Sequence, residues 1–315
     1  MKKPGFLDDP RKRNIVLASF ASMAAAGLGA YLYASQIEAR RYRLDSVRVN
    51  TGISKNNGAA GEGTGGEENL VRLRILHISD LHLSAPETHK IEFLQKATEA
   101  QYDLIVITGD IFENFSGIEY ADKIISRQPR LGTFAVLGNH DYYDYNMIHR
   151  TIGRVIRRWR SPKEKRDVKP MIDALEKVGI RVLRNSTVTF PEEKLHIVGI
   201  DYPGINETEL QKLVKEGEPE HLVLTLMHVP DRLDRLDRAG VDLAFGGHTH
   251  GGQVRVPFWG PLITNSDLPR QEASGLIWRG ATAIHVSRGV GADPRTNFRF
   301  FCPPHGSIIE LCHRK

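Results

Sequence analysis

Six short runs rich in Val, Ile and Leu limit what this chain can fold into. They cover residues 70–78, 104–107, 133–137, 195–200, 222–227 and 243–245, and each stops at a glycine or a polar residue. Stretches with helical character, residues 91–100 and 171–178 among them, lie between several of these runs. Short apolar runs alternating with helices predict an α/β fold, with parallel strands buried between helical layers. In sheets of that kind ligands gather outside the carboxyl ends of the strands. The residues that stop the runs are therefore where chemistry is expected.

Those residues are Asp80-Leu81-His82 after the first run, Gly109-Asp110 after the second and Gly138-Asn139-His140-Asp141 after the third. His228 follows the fifth run and Gly247-His248-Thr249-His250 the sixth. Taken singly, most are ordinary. Gly-Asp is a common loop pair, Gly-Asn-His-Asp is rich in turn formers, and a lone histidine is more often a core residue than a ligand. Two histidines set among glycines are the sharpest of them, because packing rarely needs that arrangement. Together the motifs supply carboxylate, amide and imidazole donors, a mixture that suits Mn²⁺, Fe or Zn²⁺ better than Ca²⁺, which prefers oxygen alone. Asp80 and His82 can face one ion only from a turn beyond the strand end. Asp110 follows a glycine that permits close backbone approach, and its two oxygens can bridge two ions. Asn139 offers a neutral oxygen where a further anion would repel a phosphate. His248 and His250, one residue apart, can each reach a different ion. The ordered set predicts two divalent metals held over a phosphate ester, and hydrolysis of that bond.

Over residues 70–311 this set resembles the calcineurin-like metallophosphoesterase superfamily, which implies a layered α-β-β-α sandwich. Carried over, the family pattern makes Asp80, His82 and His250 ligands of the first metal. Asp110 then bridges the pair, and Asn139, His228 and His248 complete the second site. His140 would face the leaving group, with Glu113, three residues after the bridging aspartate, orienting it. The metals would be two divalent ions, with Mn²⁺ expected and Fe or Zn²⁺ also accommodated. Such a pair lowers the pKa of a bound water, so that a metal-bound hydroxide can attack near neutral pH, and it neutralises the phosphate oxygens. A protonated His140 would assist the departing oxygen.

The remainder of the chain bears on location. Residues 15–34 carry no charge, and a helix needs roughly 20 apolar residues to cross a bilayer. This predicts a membrane-spanning helix over residues 15–36, with a basic flank at 1–14 and Tyr31 and Tyr33 near one interface. A cleaved signal peptide is the rival reading, with Ala24-Ala25-Ala26 as the small-residue site, but its apolar region is usually only about 7–15 residues long. A twin-arginine signal is the weaker option, because Arg11-Lys12-Arg13 has no adjacent arginine pair. Basic residues flank the span nearly equally, with Lys2, Lys3, Arg11, Lys12 and Arg13 before it and Arg40, Arg41, Arg43 and Arg48 after it, so they assign no side. The catalytic domain is expected over residues 40–315, with a Gly- and Asn-rich flexible loop at 50–69 joining two strands as a hairpin; the rival placement starts the domain near residue 70 and makes that segment a stalk. A net charge of +5 suits anionic partners, a phosphate substrate or an acidic lipid surface. No nucleic-acid motif accompanies it, and no nucleic-acid partner is expected. Cys302 and Cys312 make no disulfide framework.

Local wording narrows the branch. His77-Ile78-Ser79-Asp80-Leu81-His82, His140-Asp141-Tyr142-Tyr143 and His250-Gly251-Gly252-Gln253-Val254 resemble the membrane-associated bacterial phosphodiesterases. That branch is similar to the UDP-2,3-diacylglucosamine pyrophosphatases of lipid A synthesis. The resemblance implies the bacterial inner membrane, and a cytoplasmic catalytic domain if that lipid is the substrate. Ser287-Arg288-Gly289-Val290-Gly291 and Cys302-Pro303-Pro304 fit the same branch, but His305 stands where a glutamate often follows the two prolines. A basic insert at about residues 145–170 departs from it further. There Ile148, Ile152, Val155, Ile156 and Trp159 fall on one helical face, which predicts either an amphipathic helix that touches a membrane or a packed helix with a solvated basic face. Two alternatives accompany the lipid A reading: a cell-envelope phosphodiesterase acting on another lipid- or glycan-linked phosphate, and a non-catalytic metal-binding membrane scaffold, which the intact ligand set disfavours.

Overall fold

The computed structural model describes residues 9–52, 70–144, 164–264, 266–293 and 297–314. The first element, α1 (Pro10–Leu32), starts where the Asp9 carboxylate accepts the Arg11 N–H at 2.9 Å and Pro10 fills the first turn. It is long and apolar enough to cross a membrane, and none of it is buried. Ile15, Phe20, Met23 and Leu28 point outward from successive turns.

The helix widens, then tightens, and ends on the body of the protein. Tyr33–Ile37 form a π turn and Glu38–Arg40 a 3₁₀ turn. Ala34, Ser35 and Glu38 are buried. The Arg299 N–H donates to the Ala34 carbonyl at 3.0 Å, and the Cys302 N–H donates to the Glu38 carboxylate at 2.6 Å. Tyr31 and Tyr33 meet Phe298 and Phe300 edge-on.

Two six-stranded sheets follow. The first is built from β1 (Arg43–Thr51), β2 (Leu70–Ile78), β3 (Leu104–Thr108), β4 (Thr133–Val136), β7 (Ile180–Val182) and β16 (His305–Arg314). Their order is β1-β16-β2-β3-β4-β7. The second contains β8 (Ser186–Phe190), β9 (Leu195–Gly199), β10 (Leu222–Leu226), β11 (Leu243–Gly246), β14 (Gly275–Arg279) and β15 (Thr282–Val286). Its order is β14-β15-β11-β10-β9-β8. Two small ribbons lie outside the sheets: β5 (Tyr143–Asp144) with β6 (Glu164–Lys165), and β12 (Arg255–Val256) with β13 (Gly260–Pro261).

Strand alternation creates the layers. Leu73 and Ile75 on β2, and Leu104 and Val106 on β3, face Ile197, Leu224 and Phe245 of the other sheet. The intervening Leu76, Ile78, Ile105 and Ile107 face outward onto Ile91 and Leu94 of α2 (His89–Glu99) and Met171 and Leu175 of α4 (Lys169–Lys177). On the far side Val198, Val223 and Ala244 pack on Leu210 of α5 (Glu207–Val214) and Leu236 of α6 (Asp234–Ala239). Helix, sheet, sheet, helix is the expected layering. Each fully buried Leu or Ile contributes about 1.5–3 kcal/mol relative to exposure, so strands buried on both faces carry most of the stability.

Three features depart from the sequence expectations. The sheets are not wholly parallel, because β16 pairs antiparallel to β2, β15 to β14 and β9 to β8. β1 and β2 are not a hairpin: they do not pair with each other, and β16 lies between them. Residues 145–163 of the basic insert, and 53–69 of the Gly-rich segment, lie outside the described residues. His305, at the position that departs from the branch pattern, is buried, and its Nδ1 lies 3.0 Å from the Asp45 carboxylate, which also pairs with Arg288.

The two sheets share a buried polar contact. His77 on β2 and His285 on β15 place their Nδ1 atoms 2.8 Å apart, and His77 Nε2 reaches the Thr108 hydroxyl at 2.8 Å. One ring donates and the other accepts, so the accepting ring is neutral and the two cannot both be charged. Burial holds the His285 pKa down at about 3, and burial with the neighbouring His285 holds His77 well below its usual value. In the unfolded chain both histidines protonate near pH 6.5. Their contribution is therefore intact above that pH and falls as the pH drops towards 3, by up to about 1.4 kcal/mol per pH unit for each ring. Urea denaturation between pH 7 and 5 should show stability decreasing with acid, and the decrease should be shallower in His285→Phe. Equal slopes for the two proteins would contradict this.

Candidate metal centre

The parallel strands β2, β3, β4, β10 and β11 all bring their carboxyl ends to one edge, and the predicted residues stand there. Asp80, His82, Asp110, His248 and His250 all have φ between 44° and 68°, a left-handed backbone that non-glycine residues seldom adopt. The strands have ended, and the chain turns sharply enough for residues two apart to face one point. Backbone bonds hold these turns together: the Asp80 N–H donates to the Gly109 carbonyl and the His82 N–H to the Asp110 carbonyl. Glycines are needed where the turns touch. A Cβ at Gly138 would lie 2.2 Å from Asp110 Oδ1, and one at Gly247 would lie 1.9 Å from Ser79 Oγ.

Three groups of side chains that could hold a metal result among the described residues. Asp80, His82 and His250 form one, Asp110, His228 and His248 a second, and His82, Glu113 and His140 a third that shares His82. In the first, His250 Nε2 is 3.3 Å from His82 Nε2 and 3.6 Å from Asp80 Oδ1. In the second, His228 Nε2 is 3.2 Å from His248 Nδ1 and 3.1 Å from Asn139 Oδ1. Asp110 joins them: its Oδ2 is 3.3 Å from His228 Nε2 and 3.7 Å from His82 Nε2, while its Oδ1 accepts the His140 N–H at 2.8 Å.

The donor chemistry requires a cation. His228 Nδ1 lies 2.8 Å from the Thr108 carbonyl and must donate to it, so the lone pair of the neutral ring sits on Nε2. That lone pair faces two further acceptors, the Asn139 and Asp110 oxygens. Without a metal a proton takes the place. Burial disfavours the imidazolium, yet the Asp110 charge and hydrogen bond push the His228 pKa up to about 9. Asp110 is held well below the usual carboxylate range, because the imidazoles around it outweigh the effect of burial. Bound metals displace protons from such ligands. The imidazole and carboxylate clusters fit a dinuclear site.

Glu113 and His140 complete the group. Glu113 Oε2 lies 2.9 Å from His140 Nδ1 and 3.0 Å from His82 Nδ1, so one carboxylate oxygen orients two rings. Burial raises its pKa, but these two hydrogen bonds overcome that and hold it well below the ordinary value. The sequence pointed to the His140 contact and missed the His82 one. All nine predicted residues lie in this one assembly.

Three residues that shape it were not singled out. Asp141, fully buried, accepts N–H groups from Ile111, Phe112 and Gly138 and ties the β3 loop to the β4 loop. Burial, then Asp110, pushes its pKa up to about 7. Its place in Gly138-Asn139-His140-Asp141 was the available signal. The Ser79 hydroxyl donates to Asp80 at 2.6 Å. Arg299, fully buried, donates to the carbonyls of His250 and Gly289 at 3.2 Å and braces the loop that carries His250. Nothing in its sequence surroundings marks it.

The family model for calcineurin-like phosphoesterases matches residues 73–252. The uncharacterised metallophosphoesterase YkuE of Bacillus subtilis is 25% identical, over 95% of this chain and 97% of its own length. The UDP-2,3-diacylglucosamine pyrophosphatase LpxG of Chlamydia muridarum is 30% identical, over 76% of this chain and 84% of its own. The phosphodiesterase YaeI of Escherichia coli is 29% identical, over 78% and 84%. The fold, the paired clusters and these matches place the chain in the calcineurin-like phosphoesterase family. It is a metal-dependent hydrolase of phosphoric esters.

Loss of a carboxylate that orients two rings should act on both at once. In Glu113→Gln, retained metal after dialysis and turnover should both fall, by about 10–100-fold each. Elemental analysis beside a turnover assay checks this, and full metal content at unchanged turnover would contradict it.

Proposed function

We propose that this protein is a membrane-anchored dinuclear phosphoesterase that cleaves a phosphodiester or pyrophosphate bond, with UDP-2,3-diacylglucosamine as substrate. The observation that carries the reading is Asp110 Oδ2, which faces both clusters at once beside a histidine fixed by Glu113. In this reading Asp80, His82 and His250 hold the first metal, Asp110 bridges, and Asn139, His228 and His248 hold the second. Two divalent ions bound there, Mn²⁺ being the expected pair, would activate water and neutralise phosphate oxygens.

The chain's own residues supply positioning and the proton. Asp80 is held in place by the His248 N–H and the Ser79 hydroxyl. His140, with Nδ1 engaged by Glu113, passes a proton from Nε2 to the departing oxygen. For the pyrophosphate, water adds to one phosphorus, the bridging P–O bond breaks, and UMP leaves the diacylglucosamine phosphate. The pyrophosphatase name of a relative at 30% identity and the exposed apolar helix support a lipid-linked substrate. They also support a single-pass protein of the bacterial inner membrane, with a cytoplasmic domain for this substrate. The relative named as a phosphodiesterase favours a second reading, a cell-envelope phosphodiester.

The full-length protein in detergent with Mn²⁺ should release UMP from UDP-2,3-diacylglucosamine, and Asp110→Asn should abolish that release. Hydrolysis of a generic phosphodiester without UMP release would leave the second reading in its place. His140→Ala should lower turnover about 10²–10⁴-fold on an alkyl ester. The loss should be far smaller on a p-nitrophenyl ester, whose leaving oxygen needs no proton. Equal losses on both would remove His140 from that role.

A further inference from the structure

A cavity of about 520 Å³ adjoins the metal centre. His82 and Glu113 form part of its wall, and Lys90 with the loop before it forms another part. The facing wall is Ser35, Ala39 and Arg40, the segment that immediately follows the apolar helix. A cavity of this size accommodates one drug-sized headgroup, and its walls connect the end of the helix to the site of chemistry.

Charge within it is unevenly used. Lys90, almost fully buried, donates to Glu87 at 2.7 Å and to the His82 carbonyl at 3.1 Å. Glu113 is engaged by His82 and His140, and His89 faces Glu92 at 3.7 Å. Among the described residues Arg40 is exposed and has no ion-pair partner, so it is the cation of this cavity left for an incoming anion.

We propose that this cavity is the substrate entry subsite, and that it admits an anionic phosphoester amphiphile whose tail stays in the bilayer while the headgroup passes Arg40 to the metal centre. The inference rests on the phosphoesterase and membrane readings above. It adds the route and the residues that select for a tail. Lys90 is a positioning residue here, because it fixes the His82 backbone at the cavity floor. The mouth is made by the anchor itself, so a substrate already in the membrane reaches the metals without crossing water.

The test uses full-length enzyme in phosphatidylcholine vesicles and two probes with the same reacting group, hexadecyl p-nitrophenyl phosphate and methyl p-nitrophenyl phosphate. The wild type should prefer the hexadecyl ester, by a kcat/KM ratio of about tenfold or more. Ala39→Trp, which fills the cavity, should lower that ratio about tenfold, whereas Arg40→Ala, an exposed change, should lower kcat/KM on both esters about tenfold, with Arg40→Lys restoring most of it. A wild-type ratio near one, a ratio that Ala39→Trp leaves unmoved, or full activity in Arg40→Ala would overturn the proposal while leaving the phosphoesterase reading intact. No hydrolysis of either ester would overturn both.

Discussion

The carboxylate of Asp110 is the interaction on which the rest of the centre depends. It sits at a left-handed backbone position after a glycine, with one oxygen taken by the His140 N–H and the other turned towards imidazoles from β2 and β10. Those imidazoles belong to different sheets. A carboxylate buried among neutral groups would be strongly destabilised, so the sandwich tolerates it only with positive charge drawn between the sheets. The layered core and the charged edge are therefore one problem, because the sheets must pack closely enough for donors from both to reach the same point.

That requirement explains the strained backbone. Five of the converging residues sit in the left-handed region, each at a cost of about 1–3 kcal/mol. The glycines between them allow approaches that a Cβ would block. Asp141 and Arg299 hold the loops in these conformations, the one through three N–H groups and the other through carbonyls. The geometry thus depends on buried polar groups that hold the loops through their backbones.

The sequence revealed the strand ends well, because Asp80, Asp110, Asn139, His228 and His248 each stop an apolar run, and periodicity is a local property. The same locality hid what lies between distant segments. β16 follows β15 of the other sheet, and its place between β1 and β2 joins segments far apart in the sequence. Arg299 supports His250 from across the fold without a motif of its own. Glu113 was legible only through the family resemblance, and its second partner, His82, lies 31 positions away, where only the folded loops bring it near.

The position of β16 also sets an order of events. Ile309 pairs on one side with Val47 and on the other with Ile75. When the ribosome has released the helix and the first motif strands, β1 still has no neighbour in its sheet. Domains generally fold as units during synthesis, and unpaired strand edges invite aggregation. That edge stays open until a much later strand arrives. Closure of the first sheet thus waits for β16, and the supporting wall of the cavity, made by the chain just ahead of β1, is secured with it.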